Sequence, residues 1–457
     1  AYLLFGRLEW IRGDLDSASA YLRQARRTEP AADPTFLDEV SALLLDLHKI
    51  GEAENAALRS EKLMPARPHP KCHLAQIYLR HGRPRDALQT LKKASGFQVS
   101  SLLKARIHLR LGEVALARKE VEAALRQMPG LEAKVVEAEV LAAEGKSDQA
   151  EDLLRPLLAK HENNAQLLTA LGKVYLRRGD PAAREKFEQA LKVDAHAFEA
   201  RLLLADAYLA QGEHAQAHKQ LLAASRTNAW DVEARRKLAE LDYDRWELHQ
   251  ARTDLEQVLK KAPEDRRARH LLIRVLVALR QYGLAKAQLK KLGKSRGRED
   301  EGALALARGR LALERGDVEA GDIQRSLREL NKAIRLRPDD VESWVMLVKA
   351  QLFDSVAFSI PGARRVAREM NDRLGRSPEG LAALGRVEWS EGNLHSAVRY
   401  LRQAVRLLGS MPRPPRVEAE IRVLLGRVFS DIGRLNDALL QYDEAERSCV
   451  KCPDPQH

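Results

Sequence analysis

Hydrophobic residues recur along this chain in the pattern of paired helices separated by short turns. In residues 74–94 the apolar positions follow helical spacing on both sides of a break that contains Gly82, which predicts two helices joined by a turn. Residues 5–26 and 384–405 share thirteen identities in one register, although they lie 379 residues apart. Two such copies indicate a unit that is repeated between them.

A glycine in each turn, followed five residues later by an alanine, defines the register of this repeat. Gly13 and Gly392 occupy the turns of the two most similar stretches. Further turn glycines are Gly51, Gly82, Gly112, Gly145, Gly179, Gly212, Gly316 and Gly433. The following alanines are Ala18, Ala56, Ala87, Ala117, Ala150, Ala217, Ala397 and Ala438, and two units without a turn glycine keep theirs at Ala251 and Ala285.

Small and aromatic residues complete the pattern in the first helix of each unit. A glycine or alanine recurs seven residues before the turn, and an aromatic residue often lies four before it, as at Tyr175 and Tyr208. With these positions the unit resembles the tetratricopeptide repeat, and the segments LGKVYLRRGD and LADAYLAQGE match it closely. The resemblance implies an all-α, right-handed superhelical solenoid of about 13 helical hairpins, whose first helices line a concave groove.

The repeat register also predicts how the chain is divided. We expect a tetratricopeptide array of about nine repeats over residues 1–292 and a continued array of about four repeats over 302–448, two of them irregular. Residues 293–301 are a linker or a long loop between repeats, and both interpretations stay open. The irregular units lie near residues 316–321 and 353–363, and residues 449–457 form the C-terminal end of the fragment.

Composition restricts the class of protein. Aromatic residues make up only 5% of the chain, and no apolar stretch reaches the roughly 20 residues that cross a bilayer. The net charge of +12 favours acidic partners but is spread over mixed charges. The abundance of alanine and arginine is typical of a GC-rich bacterium. The visible chain has no targeting signal, so cytoplasm and bacterial periplasm both stay open.

Catalysis and cofactor binding find no support in the sequence. Phosphate-binding, zinc-protease and serine-hydrolase motifs are absent, so we predict a non-catalytic protein without a cofactor. Cys449, Cys452 and His457 would supply three zinc ligands, but a single CxxC is a weak signal, and metal binding there stays open. RNA readers need a recurrent stacking residue in each repeat, which disfavours nucleic acid as the partner.

Candidate binding residues follow from the resemblance, which implies that positions six, three and two before the turn face the groove. Basic residues predominate at the first of these positions, and aromatic residues occur at the second. The predicted binding residues are Trp10, Arg80, Arg106, Arg110, Lys173, Arg177, Tyr243, Arg274, Arg310, Lys349, Arg386, Trp389 and Arg427. Alternatively, the charges only keep the solenoid soluble, and each tryptophan only fills space against the next hairpin.

We therefore predict a non-catalytic scaffold or adaptor that binds acidic or amphipathic segments of partner proteins, in a bacterial envelope, secretion or signalling complex. The alternatives are an RNA-binding helical-repeat protein and the repeat region of a larger enzyme or signalling protein. No unit pairs a lysine ten before the turn with an asparagine six before it, so the chaperone-tail clamp of this family is not expected. The partner's identity and the oligomeric state stay open.

Overall fold

The computed structural model describes the whole 457-residue chain except residues 13, 29–32, 47–49, 81–82, 95–97, 196, 228–231, 294–296, 314–319, 354–358, 412 and 449–457. The regular secondary structure of the described residues consists of α-helices. None of these helices is both long enough and apolar enough to span a membrane.

The described residues form 26 helices, which confirms the predicted all-α fold. They are α1 (Tyr2–Arg12), α2 (Leu15–Thr28), α3 (Pro34–Asp46), α4 (Ile50–Leu63), α5 (His69–Arg80), α6 (Pro84–Lys92), α7 (Gln98–Leu111), α8 (Val114–Gln127), α9 (Leu131–Ala143), α10 (Ser147–Lys160), α11 (Ala165–Arg178), α12 (Ala182–Val193), α13 (Phe198–Ala210), α14 (His214–Thr227), α15 (Val232–Asp244), α16 (Leu248–Lys261), α17 (Arg266–Ala278), α18 (Tyr282–Leu292), α19 (Arg298–Leu313), α20 (Ala320–Leu336), α21 (Val341–Gln351), α22 (Ile360–Leu374), α23 (Pro378–Ser390), α24 (Leu394–Leu408), α25 (Pro415–Ile432) and α26 (Leu435–Ser448). Taken in order, they make 13 pairs, each an odd-numbered first helix followed by an even-numbered second helix.

A left-handed backbone conformation closes the turn between the two helices of a pair. Gly112, Gly179 and Gly433 have φ of 75°, 71° and 85° at the predicted turn position, where glycine avoids the steric cost of a side chain. In the two units without a turn glycine, Trp246 and Arg280 occupy the same position with φ of 64° and 57°. The turn geometry therefore persists where the glycine has been replaced.

Close approach of the paired helices explains the recurrent small residues. The scheduled alanines, such as Ala87, Ala217 and Ala397, are fully buried. A Cβ atom at Gly172 of α11 would lie 2.5 Å from the Phe187 ring of α12. These positions leave no space for a larger side chain, which confirms their packing role.

The chain divides into two compact units. Unit 1 consists of Ala1–Arg235 with Lys261–Glu264, and unit 2 of Arg236–Lys260 with Asp265–His457. Within unit 1, contacts join the first helices of successive hairpins from α3 to α13, and within unit 2 from α17 to α25. In each unit we call the surface made by these adjacent first helices the first-helix face.

The segment predicted as a linker is partly helical. Helix α18 ends at Leu292 and α19 begins at Arg298, so residues 298–301 are the first turn of α19. Acidic residues there, Glu299 to Glu301, suit the positive end of the helix dipole. Most of the two irregular regions, residues 314–319 and 354–358, lies outside the described residues, as does the CxxC segment.

Candidate functional site

The basic residues predicted on the first-helix face of unit 1 lie among carboxylates. Arg106 of α7 forms an ion pair of 3.1 Å with Glu132 of α9. Lys173 of α11 contacts Glu139 and lies 2.7 Å from Glu199 of α13. These cations are therefore largely neutralised within the protein.

Two further basic residues predicted on this face, Arg110 and Arg177, also have partners inside unit 1. Arg110 lies 3.4 Å from a Glu233 carboxylate oxygen, and the Arg177 guanidinium donates to the Ala142 carbonyl oxygen at 3.5 Å. The side chain of Arg80 lies outside the described residues. The basic residues predicted on this face are thus part of a network that alternates positive and negative side chains.

Electrostatics in this network favour the charged forms of both partners. Burial alone would lower the pKa of Lys173, but Glu139 and Glu199 outweigh it and raise that pKa. Burial would likewise raise the pKa of Glu199, but Lys173 and two nearby arginines lower it. Lys173 and Glu199 therefore both stay charged at neutral pH.

Tyr243 of unit 2 is buried and contacts three arginine side chains. Its side chain is only 1% exposed, so the predicted role of an accessible aromatic anchor does not fit. The guanidinium groups of Arg274 and Arg416 lie 4.8 Å and 5.1 Å from its ring centre, and Arg310 donates to its hydroxyl oxygen at 3.1 Å. Tyr243 thus orients three arginines.

Two glutamates neutralise most of the cations around Tyr243. Glu342 of α21 accepts ion pairs from Arg274 at 2.8 Å and Arg310 at 2.7 Å. Burial opposes ionisation of this carboxyl group, but the surrounding arginines outweigh it and lower the pKa of Glu342 to about 2. Arg310 and Arg274, both predicted as binding residues, are therefore paired with Glu342 within the protein.

Glu420 of α25 has a corresponding role. Its carboxylate lies 2.8 Å from Arg416 and 3.7 Å from Lys349. Burial raises its pKa, but Lys349 and Arg416 outweigh that effect and lower the pKa of Glu420 to about 2. Sequence reasoning missed Arg416, Glu342 and Glu420, because none of them lies six, three or two residues before the turn, the positions that the resemblance assigns to the groove.

A cavity of about 250 Å³ opens among α19, α21, α23 and α25 on the first-helix face of unit 2. Three of the predicted binding residues, Arg310, Lys349 and Arg386, line it. Its apolar wall comprises Val341, Val345, Met346, Val348, Ala382, Ala383, Pro414, Val417, Ile421 and Leu424, and its other charged residues are Glu342, Glu379, Arg416 and Glu420. An apolar wall with a few charged groups is typical of a binding site.

Arg386 differs from the other cations of the cavity. It is half-buried and makes no hydrogen bond or ion pair to any described residue. Burial lowers its pKa, as does Arg427, while Glu420 acts in the opposite direction. The cavity therefore contains one guanidinium group whose charge is incompletely compensated.

The two tryptophans have different environments. The Trp389 indole donates a hydrogen bond of 2.6 Å to Asp431, and its ring packs against the hydrophobic cluster of the last two hairpins. Trp10 on α1 is 39% exposed. Trp389 thus contributes to packing, while the surface of Trp10 remains accessible.

The chain belongs to the tetratricopeptide-repeat family. One sequence profile described as tetratricopeptide repeat matches residues 72–130, 135–183 and 382–449, and a second matches residues 181–241. Together these matches cover slightly more than half of the chain. Proteins with these repeats bind other proteins and typically act as non-catalytic scaffolds.

Solved structures resemble the chain at low identity. A tetratricopeptide repeat protein from Parabacteroides merdae is 16% identical, with a TM-score of 0.44, covering 58% of this chain and 98% of its own. Yeast Tom70 is 12% identical, with a TM-score of 0.43, covering 96% and 97%. The APC/C hetero-tetramer Cut9-Hcn1 is 11% identical, with a TM-score of 0.44, covering 100% and 95%. No curated protein sequence matches significantly.

Proposed function

We propose that this protein is a scaffold that binds acidic or amphipathic segments of partner proteins on its first-helix faces. The observation that carries the proposal is the cavity of unit 2, where an apolar wall surrounds Arg386, a cation that makes no hydrogen bond or ion pair to a described residue. Such a site complements a peptide that presents an apolar side chain beside an acidic one. The setting that we propose is a bacterial envelope, secretion or signalling complex, in which arrays of these repeats serve.

Attraction to acidic segments does not require a continuous basic surface. In unit 1, Arg106 and Lys173 are paired with glutamates, and an exposed pair such as Arg106 with Glu132 contributes only about 0–1 kcal/mol. Affinity on this face must therefore come from buried apolar contacts with a few charged groups that lack an internal partner. The unit 2 cavity offers that combination.

Selection from a library of random peptides displayed internally in a carrier protein tests the proposal. We expect the intact chain to enrich peptides with adjacent acidic and aliphatic residues, and these peptides should bind as synthetic segments at physiological salt. A single-stranded RNA is titrated in parallel. RNA binding that is tight at physiological salt and falls steeply as salt rises, without any enriched peptide, would contradict the proposal.

A further inference from the structure

Neighbouring first helices share a recurring ion pair on the first-helix face. A cation six residues before the turn contacts a glutamate at the second position of the next first helix. The pairs are Arg106 with Glu132 at 3.1 Å, Lys173 with Glu199 at 2.7 Å and Arg310 with Glu342 at 2.7 Å. In these three cases the next first helix supplies the carboxylate that pairs with the cation of its predecessor.

The pair changes between α23 and α25. Counted back from the turn, the residue of α25 equivalent to Glu132, Glu199 and Glu342 is Glu420, and Glu420 contacts Arg416 and Lys349 instead of forming an ion pair with the preceding groove cation. The cation six before the turn in α23 is Arg386, and both arginines line the cavity. The nearby carboxylates of α25 are already engaged, because Glu418 lies 2.7 Å from Arg422 and Glu420 lies 2.8 Å from Arg416. Arg386 therefore makes no ion pair with any residue that the structure describes, in contrast to Arg106, Lys173 and Arg310.

We propose that the cavity receives an Asp or Glu side chain of a partner protein together with the aliphatic side chain next to it in the partner's sequence. The partner's carboxylate pairs with Arg386, because Glu420, the equivalent glutamate of α25, is engaged by Arg416 and Lys349. This inference rests on the proposed function and identifies the residue that anchors the partner.

The internal pairs show why a side-chain carboxylate suits this position. In all three, the groove cation meets the flexible carboxylate of a glutamate that is held on a helix. A guanidinium group pairs with such a carboxylate through two parallel hydrogen bonds. Because Arg386 is already half-buried in the free protein, part of its desolvation cost precedes binding, which favours the bound state.

The dimensions and wall of the cavity favour side chains of a peptide over a cofactor. Its volume of about 250 Å³ is below the roughly 300–1,000 Å³ that small-molecule sites usually have. Met346, Val417 and Ile421 contribute apolar surface to the cavity that Arg386 also lines. One aliphatic side chain would fill that space while the adjacent carboxylate reaches the guanidinium group.

Binding of the selected peptides to charge variants tests the inference. The peptides are synthesised with an amidated C-terminus, so that only side chains carry carboxylates. Arg386→Gln should weaken binding about tenfold or more, and Arg386→Lys should retain part of the affinity. Arg368→Gln is the matched control, because Arg368 of the same unit is exposed and has no partner among the described residues. It should change the affinity less than about twofold.

A double-mutant cycle gives the decisive comparison. Replacing the peptide's acidic residue by its amide should weaken binding to the wild-type protein and have little further effect on Arg386→Gln. Thermal unfolding of each variant verifies that the fold is kept. Equal binding of the peptides to wild type and Arg386→Gln would overturn the inference while leaving the proposed function intact. Failure to select any peptide would overturn both proposals. Recognition that requires a free C-terminal carboxylate would overturn the inference.

Discussion

At the scale of single residues, the turns keep a left-handed backbone conformation even where another residue replaces the usual glycine. Gly179 has a left-handed φ of 71°, and Arg280 adopts 57° in the equivalent turn of its own hairpin. A side chain in this conformation costs about 1–2 kcal/mol relative to the right-handed region. The hairpin tolerates that cost because packing of its helices fixes the turn.

We therefore expect opposite effects of exchanges at these two turns. Arg280→Gly should stabilise the chain by up to about 1 kcal/mol, because it removes the strain, although the glycine loses more entropy on folding. Gly179→Ala should destabilise it by about 1 kcal/mol, since no neighbouring atom lies close enough to add a steric term. Chemical denaturation of both variants measures the effects, and equal signs would contradict this account of the turns.

A buried histidine gives unit 1 a dependence on pH. Burial lowers the pKa of His73 in α5 from its ordinary 6.5 to about 4, and repulsion from His69 adds to the effect. Between these two values the unfolded chain binds a proton that the folded chain does not, so stability falls as the pH falls from 6.5 towards 4. The slope contributed by this group is at most about 1.4 kcal/mol per pH unit.

Replacement of His73 isolates this contribution. His73→Gln should flatten the dependence of unfolding free energy on pH between 4 and 6.5, whatever its effect on absolute stability. Denaturant titrations at several pH values provide the measurement. His395→Gln is the matched control, because it makes the same exchange at an exposed position. An unchanged slope in His73→Gln would show that another group causes the dependence.

At the scale of helices, the sequence predicted the pairing well because each hairpin repeats the same packing. The fixed spacing of turn, small residue and alanine located Ala87, Ala217 and Ala397 in the core, where all are fully buried. Register was lost where the connection lengthened, as before α19, which begins at Arg298 inside the predicted linker. Periodicity reports helix faces, but it does not determine the length of an irregular connection.

The contact between α11 and α12 provides a test of that packing. A Cβ atom at Gly172 would lie 2.5 Å from the Phe187 ring, so Gly172→Ala should destabilise the protein by about 1–3 kcal/mol. Gly283→Ala in α18 is the matched control, since nothing lies within 4 Å of its Cβ position, and it should be neutral or slightly stabilising.

Hydrogen exchange should show where the Gly172→Ala defect acts. Repeats are stabilised mainly by their neighbours, so protection should fall in α9 to α13, which contact α11 or α12. Adding Phe187→Leu should cost less in the Gly172→Ala background than alone, because the smaller side chain relieves the clash. Strictly additive free energies would argue against a direct contact between these residues.

At the scale of the whole molecule, the sequence indicated which basic residues share a surface, but not which of them are neutralised by carboxylates. The repeat register assigns Arg310, Lys349 and Arg386 equivalent positions, and all three line one cavity that the sequence did not predict. The register did not reveal that Arg310 is neutralised by Glu342 while Arg386 has no such partner. That difference depends on the engagement of Glu420 by Arg416 and Lys349, which periodicity does not encode.

The most direct measurement uses the methionine at the cavity wall. The chain has only five methionines, and Met346 lines the cavity, whereas Met64 and Met128 belong to unit 1 and are exposed. With methyl-labelled methionine, titration of a selected peptide should shift the Met346 signal in the NMR spectrum of the wild-type protein. The same peptide concentration should shift it far less in Arg386→Gln. Shifts confined to Met64 or Met128, with Met346 unchanged at saturation, would contradict the placement of the binding site.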